Sequence, residues 1–113
     1  KLVDEIIDNI NKEIYLTSLY DYYKELLTDK QRLYFEDYYF SNYSLSEIAD
    51  NQETSRNAIH KQIKDTENKL IYYEDKLKLN EKYIELKEIE PVIAENNNDY
   101  VLKVKSLYDG LDD

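Results

Sequence analysis

A single glycine, Gly110, and a single proline, Pro91, serve the whole of this chain. Tight hairpins draw on glycine, asparagine-glycine and proline for the backbone angles that other residues avoid. A chain with so few of them must be built from helices joined by short polar connectors, and the expected fold class is all-α. Apolar spacing agrees with this. From Val3 to Leu27, the residues Val3, Ile6, Ile7, Ile10, Ile14, Leu19, Tyr22, Tyr23, Leu26 and Leu27 recur at three- and four-residue steps. That spacing predicts one long amphipathic helix, or two in series.

Thr28-Asp29-Lys30-Gln31 combines a capping threonine with a glutamine three residues on, which opens a helix through about Phe40 with Leu33, Tyr34, Phe35, Tyr38 and Tyr39 available to a core. Ser41-Asn42-Tyr43 is the connector. Ser44-Leu45-Ser46-Glu47 repeats the capping pattern, and Leu45, Ile48 and Ala49 form one narrow apolar face. After the polar Asp50-Asn51-Gln52-Glu53, Ser55 offers another cap, and Ala58, Ile59, Ile63 and Thr66 resume helical spacing. The order is helix, turn, helix. Opposite the inner face of the second helix lie Arg56, Asn57, His60, Lys61 and Lys64, residue types that reach base edges and phosphates in a major groove.

Charge singles out the same helix. The chain carries a net charge of −10, but residues 54–64 hold Arg56, Lys61 and Lys64 and no acid. Phosphate contacts dominate nucleic-acid affinity, so three cations on an acidic chain imply DNA or RNA binding that is weak and salt-sensitive. The acidic exterior also fits a protein-interaction module. Catalysis finds no purchase: His60 has no partner in a catalytic spacing, no glycine-rich phosphate loop exists, and the expectation is no enzyme and no cofactor. With no cysteine and one histidine, thiolate and multi-histidine metal sites are excluded. No apolar run approaches the roughly 20 residues that cross a bilayer and no leader is visible, so a cytoplasmic protein without membrane insertion is expected.

Ile63, Leu70, Leu77 and Ile84 repeat every seven residues, which lets one helix run from about Ser55 to Glu88. Asn80 and Lys87 interrupt a strict seam. The stripe therefore calls for the N-terminal helix, a second copy of the chain, or a break near Asn80 as its cover. The homodimer is the expected arrangement, with Tyr73, Leu77 and Ile84 in the contact. Pro91 is expected to stop the helix, and Asn96 to Asp99 to form a loop or a cap for a last helix carrying Val101, Leu102, Val104, Leu107 and Tyr108, with Gly110 just past its end. The expected division is an N-terminal helix (1–27), a helix-turn-helix head (28–66), and a helical continuation (67–113). The doublets Tyr22-Tyr23, Tyr38-Tyr39 and Tyr72-Tyr73 each place one ring on an apolar stripe and leave the other's hydroxyl in water.

The segment LTDKQRLYFEDYYFSNYSLSEIADNQETSRNAIHKQIKDTENKLIYYEDKL, residues 27–77, resembles the YlxM family of small bacterial helix-turn-helix proteins. The match lies in L-T-x-K-Q-R, Y-S-L-x-E-I-A, S-R-x-A-[VI] and Y-E-x-K-L, taken in order. The resemblance implies a head like region four of sigma factors with a long C-terminal helical extension. It also implies a regulatory or accessory role in the signal recognition particle pathway, beside whose genes the family's gene typically lies, with the particle's RNA or its GTPases as partners. A sequence-specific transcription regulator is the alternative that the same motif carries. The chain departs from the family pattern at Gln52 and Thr54, both polar where the family has apolar residues, and in a longer N-terminal helix.

Overall fold

A computed structural model describes residues 1–96, 105–107 and 109–110. The elements are α1 (Leu2–Tyr23), a single 3-10 turn (Lys24–Leu26), α2 (Asp29–Tyr39), α3 (Leu45–Asn51), α4 (Arg56–Leu77) and α5 (Leu79–Asn96). Residues 105–107 and 109–110 are also helical, and the described residues contain no strand. The chain divides into two compact units, Lys1–Lys76 and Leu77–Asp113, and the head read from the sequence as 28–66 lies inside the first.

Both sequence-read capping boxes form. Thr28 Oγ1 accepts from the Gln31 amide at 3.2 Å, and Gln31 Oε1 accepts from the Thr28 amide at 3.1 Å. Ser44 and Glu47 reciprocate at 3.1 Å in each direction. Each box satisfies two amides that helix geometry orphans, which fixes where α2 and α3 begin.

The core of the first unit has two parts. Tyr34, Ile48, Ala49, Ile59 and Ile63 hold α2, α3 and α4 together, with Tyr39 and Leu45 packed against them. Leu16, Leu19, Tyr20 and Tyr23 of α1 are buried too, and Phe35 is fully enclosed. Its ring lies 4.6 Å from that of Tyr20 and 4.5 Å from that of Tyr39. Of the residues that spacing offered from α2, Leu33 and Tyr38 stay exposed. A helix of 11 residues has one buried face, and Gln31, Tyr34 and Phe35 take it.

Phenol-carboxylate hydrogen bonds lock these helices. Tyr20 Oη donates to Glu36 at 2.6 Å, Tyr23 Oη to the buried Glu74 at 2.6 Å, and Tyr39 Oη to Glu67 at 2.5 Å. Burial first, and then the carboxylate acceptors, push the Tyr20 and Tyr39 phenols well above the ordinary tyrosine range. Raised phenol values stabilise the fold below the unfolded tyrosine pKa of about 10, and that contribution is lost as pH climbs above it toward the folded values. Stability should therefore hold to about pH 9 and fall steeply beyond about pH 10. Phenolate absorbance near 295 nm, recorded with helical circular dichroism, checks this: two tyrosines should ionise only as the helices melt. Smooth ionisation of all 13 tyrosines below that transition would contradict it.

Three expectations are corrected. The helix from Ser55 does not reach Glu88: of the alternatives left open, a break near Asn80 is the one that forms, at Lys78, whose left-handed φ of 54° separates α4 from α5. Tyr73 and Ile84 therefore lie on different helices. Tyr73 is half-buried and directs its hydroxyl to the Leu26 carbonyl at 3.5 Å, while Leu77 and Ile84 are exposed. Nor does Pro91 stop a helix, since α5 continues through it to Asn96. Proline removes one donor and crowds the preceding turn, which weakens a helix by about 3 kcal/mol without forbidding it. Gly110 is itself helical and has no positive φ, so it is not a terminating residue beyond the last helix. Asn97 to Val104 and Tyr108 lie outside the described residues, and with them most of the expected last helix.

Candidate nucleic-acid interface

The turn between α3 and α4 sets the angle at which α4 leaves the head. The Gln52 amide donates to the Ile48 carbonyl at 2.9 Å and the Thr54 amide to the Ala49 carbonyl at 3.0 Å. Glu53 lies between them at φ 53°. Gln52 and Thr54 are both exposed, so their polarity costs no desolvation: the turn is wet. Ser55 then caps α4, its Oγ accepting from the Ala58 amide at 3.1 Å.

Sequence reasoning missed the strain at Glu53, whose only signal was a side chain where the turn favours glycine. Left-handed backbone costs a non-glycine residue roughly 1–2 kcal/mol, part of which glycine's greater unfolded-state entropy offsets. Glu53→Gly should stabilise the chain by about 0.5–1 kcal/mol in urea denaturation. A loss of stability would show that the Glu53 side chain contributes more than its backbone costs.

Ile59 and Ile63 of α4 are buried, and Arg56, Asn57, His60, Lys61 and Lys64 are all exposed on the helix they share. The first turn of α4 contains no acid, so its positive helix end and its basic side chains act together. The five are not equivalent. Lys64 lies 3.4 Å from Glu67, whose carboxylate is buried to 6 % side-chain exposure and also meets Lys12 of α1 at 3.7 Å. Arg56 and Lys61 have no ion pair among the described residues. Lys64 is therefore partly neutralised, and the two cations nearer the start of α4 hold most of the available charge.

His60 and Lys64 also line a cleft of about 550 Å³ whose walls include Asn9, Lys12 and Glu13 of α1, Tyr38 and Tyr39 of α2, and the Asn42-Tyr43 connector. Lys12–Glu67 and Tyr23–Glu74 advance together along both helices, so α1 and α4 run side by side in the same direction. The basic face is thus open at its first turn, and from His60 onward it borders the cleft that α1 walls. The Lys64–Glu67 pair was legible as an i, i+3 spacing; Lys12, 55 residues away from Glu67 in the chain, was not.

The model of the helix-turn-helix protein family described as YlxM / p13 like matches residues 10–109. The chain belongs to this family. A UPF0122 protein of Malacoplasma penetrans, strain HF-2, is 48 % identical over 82 residues, covering 73 % of this chain and 77 % of the relative. One from Caldanaerobacter subterraneus subsp. tengcongensis is 45 % identical over 80 residues, covering 70 % and 68 %. One from Geobacillus sp., strain WCH70, is 43 % identical over 94 residues, covering 83 % and 82 %. The YlxM / p13 match begins at residue 10, inside α1, so it takes in the Lys12 and Glu13 side of the cleft and leaves Leu2 to Asn9 outside it.

Proposed function

We propose that this chain is a non-enzymatic helix-turn-helix regulatory protein that contacts nucleic acid through the first two turns of α4. Arg56 and Lys61 take phosphates, Asn57 and His60 face base edges, and Lys64 supplies a weaker contact at the end of the row. The observation that carries the reading is the acid-free, exposed start of α4, capped by Ser55 and backed by the buried Ile59 and Ile63. Phosphate contact needs mobile cations on a rigid support, and this helix has both. Following the resemblance, the ligand is a component of the signal recognition particle, its RNA in the first place.

A second reading draws on the buried Glu67. A carboxylate that holds Lys12 and Lys64 beside the basic face lowers its charge, which favours a protein partner, such as a GTPase of the particle, met by the acidic surfaces. Affinity capture with the purified chain, with and without nuclease, separates the two. The expected result is recovery of particle RNA that is lost with nuclease and lost with the Arg56→Ala, Lys61→Ala double variant. A GTPase recovered equally in all cases would overturn the nucleic-acid reading in favour of the protein one.

A further inference from the structure

The first half of α1 carries an apolar row that its own head does not use. Val3, Ile7, Ile10 and Ile14 are 66 %, 48 %, 51 % and 58 % exposed. At 3.6 residues per turn, this row centres about 160° round the helix from Leu16, Leu19, Tyr20 and Tyr23, the set that packs on the head. α1 is therefore a helix with two apolar faces, one for each end. The spacing of the free row is four, three, four, the heptad seam of a two-stranded coiled coil, and it reads the same in both directions.

We infer that this face is a homodimer interface in which α1 of a second copy lies antiparallel along it. Inverting the row sets Val3 opposite Ile14 of the second copy and Ile7 opposite Ile10, so that each of these four residues meets another of the four. That self-complementarity is what a two-fold interface requires. At the flanks, Asp4 falls beside Asn11 of the second copy and Ile6 beside Glu13, so no carboxylate confronts another. A parallel pairing would put both heads at one end, and each chain carries a net charge of −10. The antiparallel one keeps the heads apart. Ile6, also exposed, borders the seam, and covering these apolar residues with the side chains beside them on both copies removes on the order of 1,000 Å² from water, the lower bound for a specific interface.

Sedimentation of the full chain at tens of micromolar should report two chains. Ile7→Asp with Ile10→Asp should weaken the dimer at least about a hundredfold, to one chain, with helical content kept because both residues are in water within the single chain, and with a urea midpoint that no longer rises with protein concentration. Leu77→Asp should leave the dimer intact. The chain has no cysteine, so single replacements report geometry: a mixture of Ile7→Cys and Ile10→Cys chains should oxidise to the mixed disulfide faster than either forms its own. A wild-type monomer, a dimer that survives the double aspartate change, a dimer lost with Leu77→Asp, or preferential Ile7→Cys self-coupling would each overturn the inference.

Discussion

Phe35→Ala should cost the first unit about 3–5 kcal/mol, most of the stability of a chain at the lower end of the usual 5–15 kcal/mol. Phe35 is completely enclosed, and it sits between the rings of Tyr20 and Tyr39. Removing it opens a cavity and takes a ring contact from each of the two tyrosines whose hydroxyls hold Glu36 and Glu67. Relaxation cannot refill the space, because the rings that would move into it are tied by those hydrogen bonds. Urea denaturation followed by circular dichroism measures the loss. Phe35→Leu, which keeps most of the volume, should cost less than half as much. A change below about 1 kcal/mol for Phe35→Ala would mean that α1 does not pack on α2 as described.

Changing Arg56 and Lys61 together to Ala should lower nucleic-acid affinity on the order of 50-fold at 0.1 M salt, the counterion-release contribution of two duplex phosphate contacts. Stability should change by no more than about 0.5 kcal/mol, since both side chains are exposed and neither pairs with an acid among the described residues. Changing Lys64 alone should matter less to binding, because Glu67 already holds its ammonium. Equal losses from Lys64 and Arg56 would contradict that ranking. The changes leave Ser55, Ile59 and Ile63 in place, so the helix that presents the site persists.

The all-helical class and the starts of α2, α3 and α4 were legible because local chemistry determines them. Thr28 with Gln31, Ser44 with Glu47, and Ser55 with Ala58 each satisfy amides that no distant residue can reach. The outward row from Arg56 to Lys64 was legible for the same reason: helical period places it opposite Ile59 and Ile63 once the helix is known. The end of α4 was legible only as one of three alternatives, the break near Asn80 where polar residues interrupt the seam, because Lys78 has no residue-type signal for a left-handed turn and the seven-residue apolar repeat continues across it. Pro91 misled in the opposite sense, since a local preference of a few kcal/mol is overridden when the rest of a helix persists. Periodicity also merged the two apolar faces of α1 into one stripe, because three- and four-residue steps are blind to a slow change of side along a helix. The pairing of Lys12 with Glu67 depends on how α1 packs beside α4, and no spacing in the chain encodes it.

The measurement that bears most directly on the function is the salt dependence of binding to a fluorescently labelled RNA or DNA duplex between about 0.05 and 0.2 M salt, by anisotropy. With Arg56 and Lys61 as the principal contacts, log affinity against log salt should have a slope of about −2 per bound chain, steepening to about −4 where two chains bind together. In the Arg56→Ala, Lys61→Ala variant it should flatten toward zero. A slope that is unchanged in the variant, or nanomolar binding indifferent to salt in the wild-type chain, would contradict the assignment of the α4 N-terminal turns as the contact surface.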